Sequence, residues 1–372
     1  MKDKISTRQI EHAAAVIIMA TGLLIKSLYT YVKNDAWIAV IAGLFIGLLM
    51  VRVYAALAKK YPGCTLMEIN EQVYGRIPGK LVSALYIFYF FTIACLNTNI
   101  LGNFVKSYVM QNTPIPVILV LFIGLCIFAI RKGPASIMRY STMFAIVTTV
   151  IIIVNGLLMY NIFNPKNLQP VLALPMKNYL YGTHIITMIP ICDPFVFLMF
   201  LPDMLKPKEF GKALVRGVVL GSAVLLLIVL RDIMVLGATT RLFTSPSYSS
   251  IRLINIGDLL TRMDVIFISV SISLLFYKVS VFLYATVSGV SRIMEFESHR
   301  FLIYVFGALL IVYALSVFVS ESEHAQWRSN GAASMFQTVF LVLLPVVTLI
   351  ISSFRGQAKR TDSEYSVDIF DS

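Results

Sequence analysis

Long apolar runs separated by short polar stretches organise this chain from end to end. Crossing about 30 Å of hydrocarbon takes roughly 20 helical residues at 1.5 Å rise, and the pattern predicts ten such spans. They run over residues Ile10–Tyr29, Ala36–Leu57, Leu81–Val109, Ile115–Ile130 and Ser136–Phe163 in the first half. Leu180–Leu201, Phe210–Val235, Asp264–Met294, Phe301–Val319 and Ala332–Phe354 follow in the second. Two connections read as short helices that do not span: Leu66–Tyr74 after the Tyr61-Pro62-Gly63 turn, and Ser250–Arg262 after Pro246. The expected fold class is an all-α polytopic membrane protein, with one transmembrane domain over residues 1–354 and a polar tail over 355–372.

Composition narrows the alternatives. The 372 residues are 58% hydrophobic and 13% charged, against about a quarter charged in a soluble domain. A water-soluble globule could not hide that much apolar surface, so lipid is the expected solvent. The net charge of +12 does not point to nucleic acid, because the basic residues cluster at the ends of apolar runs, where lipid headgroups lie. The first apolar run is too long for a signal peptide and is expected to be retained. Cys64, Cys95, Cys126 and Cys192 are scattered without a CxxC pair, so neither a disulfide nor a zinc site is expected. Alternate connections carry 20 Lys and Arg residues on one side and 10 on the other. The basic excess predicts that both termini are cytoplasmic.

Ten spans divide into two sets of five, residues 10–163 and 180–354. Because five is odd, a repeat between them must be inverted. The first helix of each set carries a break near mid-depth: Ala20-Thr21-Gly22 in helix 1 and Pro190-Ile191-Cys192-Asp193-Pro194 in helix 6. Discontinuous helices with freed main-chain groups are where transporters of this kind bind solutes and ions.

No P-loop, GxSxG or HExxH motif is present, and His12, His184, His299 and His324 are far apart, so no catalytic site, cofactor or metal is expected. Lys278 lies in the middle of helix 8 between Leu274-Leu275-Phe276 and Val281-Phe282-Leu283. Insertion scales put an amine there at about 2.5–3.5 kcal/mol unless it is paired or hydrated. It reads either as half of a structural ion pair or as a group bordering a ligand cavity. Asp193 is its natural partner across that cavity; the competing role for Asp193 is to cap the half-helix after the break. In helix 3, Tyr89 and Ile93 share a face as candidate cavity walls, whereas Asn97 and Asn99 read as hydrogen-bonding links between packed helices.

These motifs carry a resemblance. Asn167-Leu168-Gln169-Pro170-Val171, the broken helix, and then Phe200-Leu201-Pro202-Asp203-Met204 resemble the B subunits of spore germinant receptors, the GerAB-type spore permeases within the amino acid/polyamine/organocation superfamily. Ile5-Ser6-Thr7-Arg8-Gln9, Thr21-Gly22, Thr113-Pro114-Ile115, Arg262-Met263-Asp264 and the stretch from Lys278 to Gly289 match in order. The resemblance implies a LeuT-type five-plus-five inverted-repeat fold with helices 1 and 6 broken. It also implies a pocket for a small germinant, often an amino acid, between helices 1, 3, 6 and 8. By position that pocket would include Ala20, Thr21, Gly22, Tyr89, Ile93, Cys192, Asp193, Tyr277 and Lys278. The implied partners are an A-type and a C-type receptor subunit in the inner spore membrane. Ser27, Asn99 and Val196 stand where relatives often carry proline, arginine and glutamate. An autonomous proton-coupled amino acid permease shares the same expected fold and pocket, with Lys278 or Asp193 taking up the proton.

Overall fold

In the computed structural model the described residues are 4–23, 26–253, 263–296, 300–318, 327 and 331–354. Nearly all are helical. Seven helical stretches are long and apolar enough to cross a bilayer: Ser27–Lys60, Arg76–Tyr108, Pro134–Leu158, Met176–Asp203, Pro207–Leu242, Met263–Met294 and Ala332–Phe354. The shorter apolar helices Ile115–Arg131 and Arg300–Ser316, with Thr7–Gly22, fall where the fourth, ninth and first spans were expected.

Helix α1, Thr7–Gly22, starts in a capping box in which Ser6 and Gln9 satisfy each other's backbone N–H groups. The residues just before it form a β-bridge from Ile5 to Met204, which ties the chain's N-terminal face to the end of the sixth span. From Ile10 to Ala20 all but Glu11 are buried, as expected for a helix surrounded by protein. The helix stops at Gly22, and a six-residue helix, α2 (Ser27–Val32), resumes the span. Beyond it come α3 (Ala36–Lys60), the short α4 (Leu66–Tyr74), α5 (Arg76–Tyr108), α6 (Ile115–Arg131) and α7 (Pro134–Leu158). The predicted bounds of α4 are met residue for residue; Thr65 and Glu68 close a capping box at its start.

The sixth span begins as α8, Met176–Ile186, widens to a π turn over Thr187–Ile191, and tightens to a 3-10 run over Asp193–Asp203. Pro190, Pro194 and Pro202 each remove the N–H that an α-helix would donate four residues back. The Cys192 N–H instead reaches the Thr187 carbonyl at 2.9 Å. The whole segment from Asp193 to Leu201 is buried, so non-α backbone at this depth is enclosed by protein and not by lipid. After it come α9 (Phe210–Leu236), α10 (Pro246–Ile251), α11 (Met263–Met294) and α12 (Arg300–Ser316).

The last span also changes winding, from α13 (Ala332–Thr338) through a π turn over Val339–Leu343 to α14 (Leu344–Phe354). Pro345 withdraws the donor that would meet the Leu341 carbonyl, and the Tyr54 hydroxyl donates to that carbonyl at 2.6 Å. The Tyr86 hydroxyl donates to the neighbouring Phe340 carbonyl at 3.3 Å.

Small residues set the closest helix packing. A Cβ on Gly217 of α9 would collide with the Glu11 carbonyl oxygen of α1. Gly22 abuts Leu225 of α9, where a Cβ would lie 2.6 Å from the leucine Cδ1.

Two sequence expectations shift. The helix after the seventh span covers Pro246–Ile251, with the proline in its first turn. The expected helix Ser250–Arg262 overlaps its last two residues, and 254–262, like the tail from 355, lie outside the described residues. Pro246 opens this helix because its fixed φ suits the first helical position, which needs no donor. Arg231, counted among the loop cations, is 3% exposed and packed inside the protein beside Asp232.

Candidate functional site

The break in the sixth span places Asp193 at the start of its 3-10 run, and α11 places Lys278 directly opposite. The Lys278 Nζ donates to Asp193 Oδ2 at 2.5 Å, with both side chains 1% exposed. The same ammonium donates to Thr21 Oγ1 at 2.5 Å. One cation therefore holds both interrupted helices at their interruptions. It also sits at the carboxyl end of α1, where unpaired carbonyls make the helix dipole favourable to positive charge. The Phe282 ring, one turn along α11, has its centroid 5.8 Å from the ammonium. Asp193 Oδ1 is buried without a hydrogen-bond partner among the described residues.

Beside this triad lies a cavity of about 50 Å³. Ala20, Thr21, Ile93, Asp193 and Lys278, five of the residues proposed from sequence, line it. The other four stand behind the wall. Gly22 faces α9, and the Tyr277 hydroxyl donates to Met138 Sδ at 3.3 Å, toward α7. Cys192 forms the buried backbone of the turn. Tyr89 stacks on Phe340 of the last span, with centroids 4.7 Å apart.

Several lining residues escaped the sequence reading as cavity walls: Ser27, Leu96, Asn97, Ile100, Ile189, Leu275, Trp327, Ala333 and Gln337. Asn97 and Ile100 follow Ile93 at helical spacing, so the face was readable once Ile93 was chosen. Asn97 also donates to the Ile93 carbonyl at 2.8 Å, within its own helix. Asn99 instead bonds the Ala314 carbonyl of α12 at 2.8 Å, the interhelical role foreseen for it. Gln337 is 5% exposed, and its Oε1 lacks a partner among the described residues. The one amide in the last span was the available signal for it.

Residues 4–323 match a family model described as spore germination protein, the spore permeases. The chain belongs to this spore permease family. Its relatives in Bacillus subtilis (strain 168) include spore germination protein KB, 28% identical over 367 residues covering 96% of this chain and 97% of the relative. Spore germination protein YndE is 25% identical over 95% of this chain and 99% of its own length. Spore germination protein A2 is 24% identical over 95% and 96%.

Among solved structures, the amino acid complex of MhsT with L-phenylalanine superposes with a TM-score of 0.68 at 13% identity, over 94% of this chain and 89% of that one. Mhp1 is a nucleobase-cation-symport-1 family transporter, solved closed with bromovinylhydantoin bound. It gives 0.60 at 10% identity, over 96% and 84%. Both are LeuT-fold transporters, and this spore permease shares that fold. Family and fold are of transporter or receptor type and not those of enzymes.

Proposed function

We propose that the chain is the germinant-sensing B subunit of a spore germinant receptor, and that it binds a small zwitterion, an amino acid, where the two broken helices meet. The carrying observation is the Lys278 ammonium shared between Thr21 and Asp193. A zwitterion offers a carboxylate to Lys278 and an ammonium to Asp193, whose Oδ1 has no partner among the described residues. Exchanging the internal pair for two ligand pairs leaves no buried charge uncompensated. It also releases the tether between the half-helices. The cavity of about 50 Å³ has room for a few waters, at ~10–15 Å³ of such space each. An amino acid therefore enters only as the walls part, and binding favours the parted arrangement by its differential affinity.

In this reading both termini face the cytoplasm, the site opens toward the outer side of the inner spore membrane, and A-type and C-type subunits receive the change.

The transporter fold supports a second reading, a proton-coupled amino acid permease, with the Asp193–Lys278 pair exchanging the proton. Two measurements separate them. Deleting the gene and scoring germination against uptake in the same spores favours the sensor if germination to an amino acid fails with uptake intact. Accumulation of radiolabelled amino acid by the purified chain alone in liposomes favours the permease. If no amino acid alters germination, uptake or thermal stability, both readings fall.

A further inference from the structure

A second cavity, of about 240 Å³, lies on the face opposite the N-terminus and shares no lining residue with the central one. Its walls are the end of α2, the turn Lys33–Asp35, the loop around Leu174, and the turn Gly237–Leu242 after α9. At about four-fifths of the smallest ~300 Å³ pockets that take drug-sized ligands, it suits a small metabolite.

Its chemistry is two-signed. Asp35 is 2% exposed. Its Oδ2 accepts from the Leu172 N–H at 3.0 Å and the Tyr179 hydroxyl at 2.5 Å, while Oδ1 is buried with no partner among the described residues. Lys33 and Arg241 also line the cavity; both are exposed, and neither forms an ion pair with a described residue. Val32, Ala173, Leu174 and Ala238 supply apolar wall. The backbone here is held in an uncommon conformation. Of three non-glycine residues with positive φ among those described, Lys33 at 49° lines the cavity and Leu172 at 57° adjoins it, and strain of this kind collects at ligand clamps.

We infer that this cavity is a second solute site, for a zwitterion of the α-amino acid type, with Asp35 taking the ammonium and Lys33 and Arg241 the carboxylate. A simple cation would face two like charges and a simple anion would face Asp35. A zwitterion satisfies all three groups. Occupancy acts on the central site through α2, because Ser27 at its start borders the central cavity while Tyr29 and Val32 border the second. A ligand seated against the end of this helix thus biases the half-helix that the central solute must move, which makes the two sites energetically coupled.

The test is hydrogen exchange of the full-length chain in lipid nanodiscs, with each common L-α-amino acid and, for each, its amide and its N-acetyl derivative. The expected result is slowed exchange over residues 32–35, 172–174 and 237–241 with at least one free amino acid and with neither blocked form. Arg241→Gln, at an exposed position, and Ala238→Trp, which fills the cavity without touching the Asp35 hydrogen bonds, should each raise the half-saturating concentration by more than about tenfold. Slowed exchange near Asp193 and Lys278 is a separate readout of the central site, at the concentrations that saturate it. Protection of the outer segments that persists in both variants, equal protection by the blocked forms, or no protection there by any amino acid would each overturn the assignment.

Discussion

Replacing Lys278 by methionine leaves Asp193 with neither carboxylate oxygen partnered in a setting where it is 1% exposed. Removing one member of a buried pair costs about 3–5 kcal/mol, whereas removing both is often nearly neutral. Lys278→Met and Asp193→Asn are each expected to destabilise by that amount. The double variant should fall short of their sum by at least about 2 kcal/mol, well beyond the ~0.5 kcal/mol scatter of independent sites. Thr21→Ala removes a hydrogen bond to a charged group, worth about 1.5–3 kcal/mol. It should lose most of that effect in the Lys278→Met background. With about 2.1 cal/mol/K of unfolding entropy per residue over 372 residues, each single loss corresponds to roughly 4–6 °C in apparent midpoint. The assay is unfolding of the purified chain in mixed micelles by SDS titration, repeated as a thermal ramp. Additive single effects, or losses below about 1 kcal/mol, would refute the claim that one ammonium binds the two breaks together.

Further outcomes follow from the packing. Asp232 accepts from Arg231, from the Ser250 hydroxyl at 2.8 Å, from Ser247, and from the Tyr29 hydroxyl at 3.1 Å, all buried. Asp232→Asn should cost about 3–5 kcal/mol by stranding Arg231, with faster hydrogen exchange over 247–251 as its signature; unchanged exchange there would count against it. Tyr54→Phe withdraws the donor at the π turn and should lower stability by about 1–3 kcal/mol, a loss that Tyr160→Phe, at a 75% exposed position remote from that turn, should not reproduce. Gly217→Val forces α9 away from α1 and should cost about 1–3 kcal/mol or prevent assembly, read as the folded fraction on size exclusion; a fully folded, equally stable variant would refute the close approach. Gln337→Leu removes an unpartnered buried oxygen and should leave stability equal or higher while changing which amino acids shift the midpoint; a drop above about 1 kcal/mol would show that the amide has a structural partner.

The apolar pattern was enough for the helical architecture because lipid as solvent forces every span to satisfy its own backbone. The breaks were legible for the same reason. Pro190 and Pro194, flanking Asp193, cannot sit in an undisturbed helix, and Ala20-Thr21-Gly22 could be matched to the first break once the sixth was seen. Asp193 and Lys278 stood out because charge is costly at that depth. What remained hidden was set by rotation about helix axes and not by composition. Tyr89 and Ile93 share a face, yet a turn of offset puts one against Phe340 and the other on the cavity. The last span contributes Ala333 and Gln337, and only the amide of Gln337 marks in its own pattern which side faces inward. Arg231 and Asp232 are adjacent in sequence, near the end of the predicted span Phe210–Val235. Their mutual neutralisation inside the protein depends on Ser247, Ser250 and Tyr29, brought from two other segments.

The position of Trp327 on the central cavity has a practical corollary. The chain holds only two tryptophans. The other, Trp37, stands at the start of α3 with its indole nitrogen buried and unpartnered. Substituting Trp37 by phenylalanine would leave a single native emitter at the edge of the solute chamber, whose fluorescence wavelength and quenching follow how wet that chamber is. The protein would then carry its own optical gauge of opening, readable in a spectrometer without labels.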